Sequence, residues 1–157
     1  MTTPQALIYF EDLEVGAQFP SPITHTLSVD DIIAFAHQYD PQPFHTDPNV
    51  STDNVFGGHA ASGWHTAVTA MRQFVDMLAP RVAGGLVGLS IDKLRWPRPT
   101  RAGDTLRVTV EVLGKKRSSS KPNFGVVQLK WWVHNQEDQL ALELENAIWV
   151  ACRSTQD

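Results

Sequence analysis

Residues 63–78 read GWHTAVTAMRQFVDML, and the reading of this stretch decides the fold. Trp64, Ala67, Val68, Met71, Phe74, Val75 and Leu78 fall on successive helical turns, and Ala70 adds a small residue that permits close approach. Pro80 supplies the stop. A helix this apolar is expected to be substantially buried, so the rest of the chain must supply something to bury it.

Beyond the helix the period changes to two. Leu106, Val108, Val110 and Val112 alternate with Thr105, Arg107, Thr109 and Glu111, the pattern of a strand with one buried face. Val127, Leu129, Trp131 and Val133 make another strand, and Leu140, Leu142 and Leu144 begin a third that reaches about Cys152. Leu86 to Arg95 is expected as a further strand, closed by Trp96-Pro97-Arg98-Pro99. Hairpin loops fall near Lys116 to Asn123 and Asn135 to Asp138. Four consecutive strands and one greasy helix predict an α+β fold, an antiparallel sheet curled around a central buried helix. Such a half-wrapped assembly leaves strand edges unpaired, and a homodimer or an assembly of dimers is the expected remedy.

Upstream, Phe19 to Leu27 has room for a short strand. Ser28-Val29-Asp30-Asp31 sets an N-cap hydroxyl three residues before a carboxylate, a variant of the capping box. Ile32, Ile33, Phe35, Ala36 and Tyr39 then predict an amphipathic helix over Val29 to Gln38, ended by Pro41. Pro41 to Gly58 holds prolines, glycines and short polar residues and reads as an ordered loop.

The bulk properties narrow the function classes. At 157 residues the chain fits one domain, 1–157, with a real core. No apolar run approaches the ~20 residues that span a bilayer, and Met1 to Phe10 does not read as a signal segment. The single Cys152 excludes an internal disulfide and fits a reducing compartment, so the expected setting is cytoplasmic. Asn49-Val50-Ser51 is a chance glycosylation triplet in that setting. A net charge of −4 argues against a nucleic-acid partner.

Chemistry concentrates in Asp40-Pro41-Gln42-Pro43-Phe44-His45. A carboxylate and an imidazole stand five positions apart with two prolines between them, and proline restricts both itself and the residue before it. A rigid pair of this kind suits acid/base work on one water or one substrate proton. The loop leads through Phe56-Gly57-Gly58 to Ala61-Ser62-Gly63, where the central helix begins. A helix N-terminus offers unpaired N–H groups, and a glycine there lets a ligand carbonyl come close.

These residues resemble the MaoC-like dehydratase and (R)-specific enoyl-CoA hydratase family, whose hydratase motif is written D-x-N-P-x-H. The segment Phe56-Gly57-Gly58-His59-Ala60-Ala61-Ser62-Gly63-Trp64-His65 is similar to that family's approach to its central helix. Leu94-Arg95-Trp96 with Arg101-Ala102-Gly103-Asp104-Thr105-Leu106 is similar to its strand–turn–strand segment. The resemblance implies a hotdog fold, an acyl-CoA substrate, and reversible hydration of a trans-2-enoyl-CoA to an (R)-3-hydroxyacyl-CoA without metal or redox cofactor. Asp40 and His45 would hold the water, one removing its proton and the other supplying a proton to the α-carbon. The Gly63 N–H would take the thioester oxygen, with Ser62 beside it in the substrate-binding segment. Gln42 departs from the motif's Asn, and Ser62 stands where many hydratases place His before the glycine.

Plainer readings exist for several of these residues. Ser62 is most simply an N-cap, and Gly63 a tight start to the helix. His59 and His65 lack the spacing of a metal site. Lys115-Lys116-Arg117 with Lys121 reads as a solvated hairpin tip before a phosphate-binding patch, and Asp47 as a loop-orienting residue. Two other functions compete: an acyl-CoA thioesterase and a non-catalytic acyl-CoA-binding hotdog. The central helix carries no carboxylate before Asp76, which counts against the first; the intact Asp40 and His45 count against the second.

Overall fold

The structure, a computed structural model, describes residues 5–154, so the first four residues of the amino-terminal stretch lie outside it. Its elements in chain order are a 3-10 turn (Phe10–Asp12), β1 (Gln18–Pro20), β2 (His25–Thr26), α1 (Val29–Tyr39), α2 (Pro43–Thr46), α3 (Gly63–Leu78), β3 (Val87–Arg95), β4 (Thr105–Arg117), β5 (Phe124–His134) and β6 (Leu140–Ala151). The expected strand at Phe19–Leu27 is two short pieces, and the loop Pro41–Gly58 contains the short α2. Both fall below the length at which periodicity is readable. Among the described residues no helix is long and apolar enough to cross a membrane.

The strands form one antiparallel sheet in the order β1-β4-β5-β6-β3, with β2 on β4 beyond β1. β3 lies at the end of that order, bonded to β6 and interrupted by two register shifts. The sheet's inner face carries Val108, Val110, Val127, Val133, Leu142 and Val150, each at 0% exposure, and α3 lies against it. This is the expected α+β hotdog, a curled sheet around a helix. The capping box at α1 is also present: Asp31 N–H donates to Ser28 Oγ at 3.0 Å, and Ser28 N–H to Asp31 Oδ2 at 3.2 Å.

The face that α3 buries differs from the expected one. Phe74, Leu78 and Ala70 are buried, but so are His65, Thr66, Thr69 and Gln73, while Trp64 is 55% and Met71 49% exposed. The cause is the gap between β1 and β2. Those two short strands pair with Thr109–Glu111 and Thr105–Leu106 respectively. Gln73, at 0% exposure, works in the gap between them: its Nε2 donates to Leu106 O at 2.8 Å and its Oε1 accepts from Val108 N–H at 2.8 Å. A buried backbone group needs a partner, and a helix amide here replaces a missing strand. The apolar stripe of Trp64, Val68 and Met71 turns instead toward β3.

Candidate active site

Asp40 is the C-cap of α1, its N–H donating to Ala36 O at 2.8 Å. Pro43 opens α2 at its first helical position, where a missing N–H costs nothing, and His45 sits in that one turn. The five-residue separation therefore becomes a contact: His45 Nε2 lies 3.3 Å from Asp40 Oδ2. His45 is 3% exposed, flanked by Phe44 edge-on and by Phe56.

The imidazole's orientation is fixed from behind. His45 Nδ1 is 2.7 Å from Ala60 O, and a carbonyl only accepts, so Nδ1 carries the proton and Nε2 faces Asp40. Two further bonds tie the same pair of segments: Ala60 N–H to Phe44 O at 3.0 Å and His59 Nε2–H to His45 O at 2.7 Å. Arg101 braces the far side, donating from Nη1 to His59 O at 3.0 Å and from Nη2 to Phe56 O. Together these bonds fix the ring and present Nε2 to Asp40.

Asp40 is held just as firmly. Gln42 Nε2 donates to its Oδ1 at 2.6 Å, and Ser62 Oγ to its Oδ2 at 2.7 Å. Partial burial pushes the carboxyl pKa up, but the Gln42 and Ser62 hydrogen bonds and the nearby His45 outweigh it, leaving the pKa below the ordinary carboxylate range. Asp40 is therefore ionised at neutral pH. The Gln42 departure from the motif is thus a direct contact with the carboxylate.

Ser62 occupies the N-cap position of α3, yet its side chain makes no capping bond, which corrects the simpler reading of that residue. Its O–H donates to the Asp40 carboxylate, a charge-assisted bond that turns the side chain toward α1 and away from the N–H groups of its own helix. The consequence reaches Gly63. Among the described residues no acceptor pairs with the Gly63 or Trp64 N–H, so the start of α3 keeps free donors beside Asp40. Gly63 is also a position of close approach: a Cβ there would lie 2.7 Å from Trp96 Cε2, and Trp96 Nε1–H donates to Gly63 O at 2.8 Å. Ala61 N–H to Thr100 O at 2.8 Å and Thr66 Oγ1 to Thr100 Oγ1 at 2.9 Å anchor the same turn to the segment before β4. Asp40, His45, Ser62 and Gly63 therefore meet in one place.

Other singled-out residues have structural duties. Asp47 Oδ1 accepts from Asn49 N–H at 2.8 Å, a loop-orienting turn. His65 stacks on Phe35 at 4.6 Å, and burial lowers its pKa against the pull of Asp31. Among the described residues no group of three His, Cys, Asp or Glu gathers to hold a metal ion. Three of the four hairpin cations are engaged rather than free at a tip: Lys115 Nζ donates to Phe10 O at 3.1 Å, Arg117 pairs with Glu11 at 3.0 Å, and Lys121 sits over the Trp149 ring. A cleft of about 200 Å³ lined by Gly63, Phe56, Trp96 and Arg98 opens at the start of α3. A larger cavity of about 420 Å³ begins at Trp64 and follows α3 between that helix and β3.

Sequence reasoning placed Asp40 and His45 and named Ser62 and Gly63, but not Trp96 or the Arg101 brace. Arg101 carried a signal only as part of the Arg-Ala-Gly-Asp segment.

Residues 12–131 match the MaoC-like domain family. A MaoC-like dehydratase from Rhodospirillum rubrum is 38% identical, with a TM-score of 0.87 over 94% of this chain and 99% of that one. The R-hydratase PhaJ1 from Pseudomonas aeruginosa is 26% identical, with a TM-score of 0.75 over 94% of this chain and 88% of its own. The uncharacterized protein YdeM of Bacillus subtilis (strain 168) is 25% identical over 131 residues, 79% of this chain and 86% of that protein. A match over most of the chain, with this fold and this loop, leads to one conclusion: the chain belongs to the MaoC-like domain family.

Proposed function

We propose that this protein reversibly hydrates a trans-2-enoyl-CoA to an (R)-3-hydroxyacyl-CoA, with Asp40 and His45 as the acid/base pair. The single observation that carries the reading is the ionised Asp40 held 3.3 Å from a His45 nitrogen whose tautomer Ala60 O fixes. Family membership and the likeness to an R-hydratase support it. Water bonds to both side chains from the open side of their contact. Asp40 takes its proton as the oxygen bonds to the β-carbon; across their contact that proton passes to the free Nε2 of His45, which delivers it to the α-carbon. The pair returns to its starting state, and the net change is addition of one water. The free N–H of Gly63 accommodates the thioester oxygen as the enolate develops. The chain's own groups cover each proton in this scheme, with no cofactor drawn in. We also place the protein in a homodimer or an assembly of dimers.

The thioesterase alternative finds no support at the helix, because Asp76 is engaged with Arg72 at 2.8 Å in the last turns of α3. The deciding measurement is loss of the conjugated-thioester absorbance of crotonyl-CoA. Wild type is expected to bleach it and Asp40→Asn to lose at least ~10²-fold in kcat, since the amide keeps the shape and loses the base. Bleaching matched by free-thiol release would instead show hydrolysis, since hydration bleaches without releasing thiol, and binding without turnover in both proteins would show a non-catalytic module.

A further inference from the structure

The backbone behind His45 is held from two sides, one peptide unit after another. In the unit that joins His59 to Ala60, the Ala60 N–H donates to Phe44 O at 3.0 Å while His59 O accepts from Arg101 Nη1 at 3.0 Å. In the next unit, Ala60 O accepts from His45 Nδ1–H at 2.7 Å while the Ala61 N–H donates to Thr100 O at 2.8 Å. One edge of each unit therefore meets α2, and the other meets Thr100 and Arg101.

That second side is itself anchored to the sheet. The Arg101 N–H donates to Asp104 Oδ2 at 2.8 Å, and Asp104 Oδ1 accepts from Gln136 Nε2 at 2.9 Å. Gln136 Oε1 in turn accepts from the Thr105 N–H at 2.9 Å, which ties the turn between β5 and β6 to the first residue of β4. From this footing the Arg101 side chain reaches back to two carbonyls, His59 O and Phe56 O, and the Phe56 ring lies 5.5 Å from that of His45. A guanidinium carries its donors in a rigid planar fork, so one side chain fixes both carbonyls at once.

Resting on the hydratase reading, we propose that Arg101 is a positioning residue for His45. Through His59 O and Phe56 O it sets the plane of the Ala60 carbonyl, which keeps the imidazole proton on Nδ1 and the Nε2 lone pair toward Asp40. The guanidinium acts through the tautomer and aim of the ring and touches no reacting atom. Once the 56–60 segment is released, Ala60 O turns, and an imidazole without that acceptor is free to carry its proton on Nε2. The Nε2–H form meets Asp40 as a donor and has no lone pair there to take a proton. Such a loss falls on kcat and leaves KM in place.

The test is Arg101→Met, which keeps an unbranched stem and removes every donor, with crotonyl-CoA hydration and nitrogen NMR of the His45 ring measured on the same protein. The expected kcat falls by ~10–10²-fold at unchanged KM, the scale of a displaced catalytic group, and the His45 signals move from the Nδ1–H form to a mixture of tautomers. Arg101→Lys keeps the charge as a single point donor and is expected to lie between the two; should Arg101→Met not fold, it decides by the same two readings. A merely structural arginine would lower the melting temperature and leave both readings unmoved wherever the variant is folded. The proposal is overturned by a folded Arg101→Met with wild-type kcat, by a rise in KM instead, by a fall in kcat with the tautomer unmoved, or by a wild-type ring that is not Nδ1–H. A wild type that does not hydrate crotonyl-CoA removes the parent reading and this one with it, an outcome distinct from an active wild type beside an unaffected variant.

Discussion

The Ser62 hydroxyl donates to Asp40 Oδ2 and accepts from no N–H in the first turn of its own helix. Replacing it is therefore expected to change how Asp40 titrates. Ser62→Ala removes one of the hydrogen bonds that depress the Asp40 pKa, so that pKa rises. The acid limb of kcat/KM, where Asp40 must be ionised, then moves to higher pH, and a pH profile of crotonyl-CoA hydration measures the shift. Gln42→Leu is expected to move it the same way through Oδ1. Stability changes with a definite sign. A carboxyl whose folded pKa is depressed stabilises the protein above its unfolded pKa, and that contribution is lost as pH falls through the folded value. Wild type should therefore resist mild acid better than Ser62→Ala in a pH-dependent melting series, and an unmoved acid limb in Ser62→Ala would remove the hydroxyl from the account. At this scale the sequence was legible where contact partners are close in the chain. Asp40, Gln42 and His45 lie within six positions and two prolines. The Ser62 and Trp96 contacts span 22 and 33 positions, and nothing local in the chain announces them.

Among the elements, strands were easier to read than the helix they surround. β5 alternates between buried and less buried residues throughout and β4 does so as far as Val112, so the two-residue period carried their inward faces directly. α3 offered two candidate faces, and hydrophobicity alone selected the wrong one in part. The buried Gln73 answers a backbone need set by where β1 and β2 end, which is decided some fifty residues upstream. Gln73→Leu preserves the volume and removes its bonds to Leu106 O, to His25 Nδ1 and from Val108 N–H, leaving the Val108 N–H unpaired in the core. The expected loss is about 1–3 kcal/mol, the cost of a buried donor left unsatisfied, read as a lower urea midpoint at unchanged slope. Gln73→Glu should recover part of it only if protonated, because a single amide supplies both donor and acceptor here. A loss no larger than that of an exposed substitution such as Arg72→Ala would mean water replaces the amide. A close approach at the other end of the sheet was equally invisible in sequence: a Cβ on Gly125 would lie within the Phe10 ring.

For the whole molecule, the apolar stripe that α3 turns outward and the edge strand β3 form one continuous problem. Trp64 and Met71 on the helix, with Leu89 at 40% and Ile91 at 58% exposure on the strand, line the same cavity from two sides. β3 bonds β6 on one side and ends the sheet order, so its other edge is open to pairing. The count of strands and helices leads to the expectation of a dimer, and we propose that the second copy docks on these exposed residues. In that proposed pair a copy docked on β3 would cover the strand edge and the stripe together and close the cavity's mouth, so that a chain seated in the cavity would depend on both copies. Ile91→Lys sets a charge in the centre of that surface without touching Asp40 or His45. It is expected to halve the mass measured by light scattering and to weaken octenoyl-CoA turnover more than crotonyl-CoA turnover, because a longer chain depends more on the closed cavity. A variant that keeps twice the chain mass would move the interface elsewhere on the molecule. A monomer that hydrates both chains as wild type does would separate assembly from the acyl site.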